Sequence, residues 1–481
     1  MEILAPASVA PPVPQTLTPG GVRRDLRWDV AFVGILAYLV IEYTRLPTMF
    51  PILLNTHIGK IAAGIALLGV LFAPRTQMAA RSHRSAIDWS MLAFVGISLW
   101  SAFLAKDQTM AWDAFADILR WGVIYFLISR TVTNRWRLHF FVLLFLLLNL
   151  KLAQFQIRDY FFQKAFGRSE AFLASGVGAG SVGFFANSND FGVAMCVVWP
   201  LAGLLLFGES KTYLRIFLLI SFLVFGGSLL LSGSRGALVG ASVTVLVALL
   251  KTPKKLAAAF MAFLLVFGAL YLLPDANKER IRLATELDKD PNVATRFDLW
   301  KTGLQMFRDN PVVGVGPGNY RPTYAMYNPH APDPRRILAP HSIYIQALSE
   351  LGTLGTSVLL LLCFLVYRAN WETLRRERQN RTRRPSFEFY LAVGLNLALV
   401  GYLTSGAFLT VLYYPHLWFL TGLSTGLSVA SAKGSENPNS LSASKDSTTS
   451  VALMAEPRQT PSHGSSEPIA AQRLVPWQQS F

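Results

Sequence analysis

Charge is scarce in this sequence: only 15% of its 481 residues are Asp, Glu, Lys or Arg. A soluble chain carries nearer a quarter, and a chain that is 52% apolar cannot bury its surplus in one core and still cover its surface. An ordinary soluble enzyme is therefore excluded, and lipid is the natural solvent for the excess. Cysteine is almost missing too. Cys196 and Cys363 each lie inside an apolar run, which argues against a disulfide framework or a thiolate metal cluster and for two small core residues. No repeat of fixed period is evident, which weakens, without excluding, a transporter built from repeated halves. Residues 1–22 carry no charge beyond Glu2, so the cationic start of a cleavable signal is lacking.

Apolar runs are what the chain has in abundance. Stretches long enough to cross a bilayer as helices lie near 29–45, 57–73, 87–105, 112–129, 138–155, 190–208, 214–232, 236–250, 256–273, 343–367, 387–406 and 409–430. The net charge of +16 might point to nucleic acid, but no basic face with interleaved aromatics is visible. Lys and Arg instead fall in alternate short loops: Arg75/Arg81/Arg84, Arg130/Arg135/Arg137, Lys211/Arg215, Lys251/Lys254/Lys255 and the seven arginines of 368–386. The short opposite turns are nearly bare, holding Arg45, Lys106 and Arg235, while the two long outer stretches, about 156–189 and 274–341, are exempt from the charge rule. Cytoplasmic loops are the cation-rich ones, so both termini are predicted inside.

The expected architecture is an all-α integral membrane protein with about 12 transmembrane helices and one large outer loop containing short helices. Residues 1–28 read as a disordered tail, 29–273 as spans one to nine, 274–341 as the outer loop, 342–430 as spans ten to twelve and 431–481 as a second disordered tail. Within the loop, Thr295 and Asp298 resemble a helix N-cap with its acid three residues on. Phe297, Trp300, Leu304 and Phe307 then recur at helical spacing, predicting an amphipathic helix that lies on the outer membrane surface and ends before Pro311. The following Gly314–Asn319 stretch lacks a preceding strand and a Gly-Lys-Ser/Thr, so it reads as a turn rather than a phosphate loop.

Several polar residues at outer helix ends could carry chemistry. Arg235, in Ser232-Gly233-Ser234-Arg235-Gly236, is either a snorkelling cation or a guanidinium open to a phosphate. Arg296 opposes the dipole at the start of the loop helix and is otherwise a solvated charge. His341, after Pro340 at the start of the tenth span, is either a structural hydrogen-bonder or a general base kept neutral by the positive helix end. Glu350, deeper on that helix, needs a partner, for which Arg235 is one candidate. Asn187 and Asn189 either cap the sixth span or line a polar cavity. Asp275, Glu279, Glu286, Asp288 and Asp290 lack tidy ligand spacing, so no metal is expected.

These residues together resemble the O-antigen ligase/O-antigen polymerase superfamily. His341-Ser342 followed by Gly352 and Gly355 is similar to its signature, Ser234-Arg235-Gly236-Ala237 to its outer arginine, Arg296 and Trp300 to its loop arginine before an aromatic, and Asn187 and Asn189 to its Asn-x-Asn element. Val239 stands where the ligases typically have Leu. The resemblance, spanning about 170–430, implies a GT-C-like helical glycosyltransferase of the bacterial inner membrane, working on its periplasmic side without metal or cofactor. It implies an undecaprenyl-diphosphate-linked glycan donor, with Arg235 and Arg296 holding the diphosphate and His341 activating an acceptor hydroxyl. Asn187, Asn189, Trp300 and Glu350 are the further substrate-binding candidates. The acceptor is lipid A–core in a ligase, another lipid-linked glycan in a Wzy-type polymerase, or a protein in an O-oligosaccharyltransferase. The rivals of another class are a flippase for the same lipid and a secondary transporter. Against them, the charged candidates cluster at outer ends rather than at the midplane.

Overall fold

The computed structural model describes residues 28–53, 55–73, 85–167, 185, 188–251, 255–271, 291–328, 339–379 and 385–435. Among them every regular element is helical. The helices are α1 (Val30–Thr44), α2 (Leu46–Met49), α3 (Ile58–Leu71), α4 (Ala86–Phe103), α5 (Gln108–Thr131), α6 (Arg135–Ala165), α7 (Ser188–Gly208) and α8 (Thr212–Leu231). They continue as α9 (Arg235–Lys251), α10 (Lys255–Tyr271), α11 (Pro291–Asp309), α12 (Tyr320–Tyr327), α13 (Ile343–Gln379), α14 (Phe387–Gly406) and α15 (Pro415–Ser435). One unit runs to Lys433; the second, Gly434–Phe481, enters the described residues only as the end of α15. The acidic cluster Asp275–Asp290 and most of both predicted tails lie outside the described residues.

Each of the twelve apolar runs falls on a helix. Among the described residues, α4, α6, α7, α8, α13 and α14 are long and apolar enough to cross a membrane. Helices α1 and α3 are apolar but shorter, and α5 carries Asp113, Asp117 and Arg120 in its length. The twelfth run needs correction. Residues 407–414 form turns, and α15 begins only at Pro415, where a proline forfeits an amide that the helix leaves unpaired anyway.

Alternate loops do gather at common ends. Asp29, Ser85, Asn134 and Ser386 cap α1, α4, α6 and α14 by accepting from amides three residues on. Around them Arg137 pairs with Asp29 at 2.7 Å, Arg130 with Asp88 at 3.1 Å and Arg135 with Glu388 at 3.1 Å, and His139 meets Glu209. Every one of these groups comes from the cation-rich loops or the helix ends beside them. At the centre, α7 is buried almost all round, as an all-apolar helix should be. It packs on α14, where Gly401 lets Cys196 approach: a Cβ there would stand 2.9 Å from its sulfur. Both cysteines are buried and free.

Helix α13 is broken near its N-terminal end. Gly352 has φ 62° and ψ −162°, a conformation essentially confined to glycine, and a Cβ there would sit 2.5 Å from the Val312 carbonyl. The break frees backbone groups that the 311–316 segment satisfies. Val315 N donates to Ser349 O at 2.9 Å, Gly316 N to Glu350 O at 3.1 Å, and Thr353 N to Pro311 O at 2.8 Å. Ser101 Oγ of α4 donates to Val313 O at 2.6 Å. The Asn319 side chain, fully buried, accepts from Asp107 N at 2.6 Å and donates to Asp107 O at 3.0 Å. Gly314, Gly316 and Gly318 all have positive φ. The glycine-rich stretch is thus a turn, as its sequence suggests, wedged between α4, α5 and the break in α13.

The loop helix differs from expectation in its start and in its buried face. Helix α11 begins at Pro291, so Thr295 is internal and Arg296 stands in the second turn, clear of the unpaired amides that a cation opposes most strongly. Its buried residues are Leu299, Thr302, Gly303 and Met306, which face Val315, Tyr320 and Tyr324. Phe297 and Leu304 of the predicted apolar stripe remain exposed, and Trp300 and Phe307 are half-buried. The helix therefore has two apolar sides, one packed inward on α12 and one left outward.

Candidate functional site

A cavity of about 260 Å³ opens between the N-terminal ends of α7 and α13, α12 and the 407–414 turn. Its wall holds Asn189 and Asp190 from α7, Arg321 from α12, His341, Glu350 and Gln346 around α13, and Thr410, Tyr413 and Tyr414 from the turn. Of the residues singled out in the sequence, His341, Asn189 and Glu350 meet here. Asn187 lies outside the described residues.

His341 is fixed by its backbone. It takes a left-handed φ of 47°, and its amide donates to Thr410 Oγ1 at 2.9 Å, tying the start of α13 to the turn before α15. The carbonyl of Pro340 accepts from Trp300 Nε1 at 2.9 Å. Trp300 is thus a brace between α11 and the histidine segment, placed just behind the cavity wall. Burial, then the charges of Arg296 and Arg321, push the imidazole down to about 4, so it is neutral at physiological pH. Burial and two guanidinium groups are the physical causes of this neutrality.

Arg296 is half-buried and close enough for its charge to act on His341. Arg235 is the first residue of α9, also half-buried, after Ser234, whose hydroxyl accepts from Ala237 N at 3.3 Å. Neither belongs to the cavity wall. The residue after Arg235 packs beside the wall: a Cβ on Gly236 would lie 3.4 Å from Leu409, a wall residue.

Glu350 is buried and does not depend on Arg235. Tyr413 Oη donates to its carboxylate at 2.5 Å, Tyr320 N at 3.3 Å and Gln346 Nε2 at 3.3 Å. Gln346 Oε1 in turn accepts from Leu412 N at 3.4 Å, and Tyr414 Oη donates to Asp190 at 2.6 Å. The correction is physical: a buried carboxylate needs donors, and neutral hydroxyl and amide donors supply them without a second buried charge.

Sequence reasoning passed over Arg321, Gln346, Tyr413 and Tyr414. The tyrosines sit inside an apolar run, and Arg321 in the outer loop just past the glycine-rich stretch. The adjacent pair Tyr413-Tyr414 before Pro415 was the one available signal, since amphipathic aromatics and a proline mark a helix start at a polar boundary.

Chemically, the cavity offers a neutral imidazole, a guanidinium in the wall, a second whose charge reaches the imidazole, and hydroxyl and amide groups that can orient a polar ligand. That set suits the binding of a phosphorylated or glycosylated group and removal of a hydroxyl proton. Among the described residues, no group of three or more His, Cys, Asp or Glu is gathered as metal ligands would be. A search of curated proteins finds none that matches this chain. Residues 220–360, which run from α8 into α13 and contain Arg235, Arg296, Trp300, His341 and Glu350, match the family model described as O-antigen ligase, the family that these motifs resemble.

Proposed function

We propose that this protein is a membrane glycosyltransferase of the O-antigen ligase type. It moves glycan from undecaprenyl diphosphate to a hydroxyl of lipid A–core at the periplasmic face of the inner membrane. The observation that carries this reading is His341 in a cavity wall, neutral and within the field of Arg296 and Arg321. The family match supports the class of enzyme; the cavity's contents support the division of labour.

In the proposed reaction the acceptor hydroxyl gives its proton to His341 as its oxygen bonds to the anomeric carbon. The bond from that carbon to the diphosphate breaks on the opposite side, inverting the centre, and the electron pair leaves with undecaprenyl diphosphate. Arg235, Arg296 and Arg321 stabilise the charge that develops there. An imidazole held near 4 is a weak base before the donor arrives. A bound diphosphate offsets the two guanidinium groups, the smaller causes after burial, and so raises the basicity part of the way when the substrate is in place. Asn189 and the Tyr413–Glu350–Gln346 network orient the sugars, and no metal takes part.

The test is purified protein with undecaprenyl-diphosphate glycan and lipid A–core in EDTA, followed by gel shift. Glycan on lipid A–core, lost by at least 100-fold in His341→Ala, is the expected result, in line with the usual contribution of a general base. Longer lipid-linked glycan would make the protein a polymerase instead. Full transfer by a folded His341→Ala would overturn the mechanism.

A further inference from the structure

A second cavity, of about 710 Å³, lies between α1, α3 and α5. Ile41, Ala63, Leu67 and Val123 give it an apolar wall, while Arg45, Lys60 and Arg120 supply cations against the single carboxylate Glu42. Arg120 also pairs with Asp117 at 3.0 Å, with both side chains about half exposed. Lys151 reaches the same end of α1 and donates to Thr44 O at 3.2 Å. Counting these two neighbours, cations still outnumber carboxylates.

The lengths of the helices matter here. At 1.5 Å per residue, α1 and α3 span only about 22 Å and 21 Å, against a hydrocarbon core of about 30 Å. The start of α1 is tied to α6 through Asp29 and Arg137, with the end of α3 beside it, where a Cβ on Gly69 would lie 2.8 Å from Ala31 N, so the shortfall falls at the Arg45–His57 connection. A bilayer meeting so short a hairpin draws its headgroups down toward the tip. The backbone is unusual at the same place. Among the described residues, three non-glycine residues have positive φ: Arg45, His57 and His341. The first two line this groove, and the third lines the cavity of the candidate active site. His57 stands at the N-cap of α3 without making a capping bond, where Ser, Thr, Asn or Asp would satisfy an amide. Strained backbone of this kind concentrates at ligand sites.

We propose that this groove holds one anionic phospholipid, its phosphate among Arg45, Lys60 and Arg120 and an acyl chain along Ala63, Gly64 and Leu67. The occupant is a lipid because the cations rim an apolar slot that a free phosphate would leave empty. It is anionic because a zwitterionic headgroup would bring its own cation to a rim already rich in them. Helix α5 separates this lipid from the candidate active site: Ala116, Leu119 and Arg120 line the groove, while Trp121 Nε1 donates to Tyr413 O at 2.8 Å. The lipid site stands independently of the proposed transferase activity.

The experiment is native mass spectrometry of the full chain from nanodiscs containing equal phosphatidylglycerol and phosphatidylcholine. Wild type should retain one phosphatidylglycerol in preference to phosphatidylcholine. Lys60→Gln should lower that retention about fivefold, the usual effect of one cation near a headgroup. Gly64→Leu is the steric counterpart: a Cβ at Gly64 meets nothing within 4 Å, so the side chain can fill the slot without disturbing the fold. It should expel the lipid with every cation in place, and His341→Ala should leave retention unchanged. Equal retention of the two lipids by wild type, or unchanged retention in both Lys60→Gln and Gly64→Leu, would overturn the proposal.

Discussion

At the scale of single residues, His341 controls a measurable pH dependence. Its folded value is about 4 against an ordinary 6.5, so between those values the unfolded chain binds more protons than the folded one. Stability therefore rises with pH across that window and falls on acidification through it. Donor-free enzyme should show no acid limb in kcat/KM for the donor between pH 5 and 7. The acid limb of kcat should lie at higher pH, because bound diphosphate offsets Arg296 and Arg321. Rate profiles over pH 4–8 at saturating and limiting donor separate the two. A kcat/KM limb at 6.5 would mean that the imidazole is not held as described.

At the scale of elements, the break in α13 is the device that builds the site. It stops the helix just past Glu350, lets the glycine-rich turn hydrogen-bond into the gap, and presents that carboxylate to Tyr413. Irregular backbone at such a position is tolerated where other protein satisfies it, as the 311–316 segment does here. Gly352→Ala should cost about 1–3 kcal/mol from its backbone conformation alone, and more from contact with Val312. Gly96 on α4, where a Cβ would meet nothing within 4 Å, is the control. Gly96→Ala should be neutral or stabilise by up to about 1 kcal/mol through helix propensity. Thermal aggregation midpoints in detergent should fall for the first variant and hold or rise for the second.

At the scale of the whole molecule, the cation-rich loops and the candidate active site occupy opposite ends of the helices. Arg308 on α11 and Arg376 near the end of α13 are both exposed, while Cys196 and Cys363 are buried and so contribute no background. In spheroplasts, a membrane-impermeant maleimide should label Arg308→Cys and spare Arg376→Cys until the membrane is opened. The reverse pattern would place the cavity in the cytoplasm and remove the basis for the proposed donor.

The helical character of all twelve apolar runs, and the segregation of Lys and Arg into alternate loops, were legible because both are local. An apolar run of 17 to 25 residues, bounded by charge or glycine, can satisfy its backbone in lipid only as a helix. His341 and Asn189 were legible as polar residues at predicted outer helix ends, and Glu350 as an acid within an apolar run, where position alone makes a side chain conspicuous. Other features depended on tertiary structure. Arg321 matters because α12 folds back toward α13, and Tyr413 and Tyr414 because residues 407–414 leave the helix. Trp300 braces Pro340, and Glu350 takes donors from Tyr413 and Tyr320, contacts made across 30 to 63 residues. Periodicity reports which side of a helix is apolar; it does not report which neighbour that side meets. In α11 both flanks are apolar, and packing against Val315, Tyr320 and Tyr324 selected the Leu299–Met306 side as the buried one.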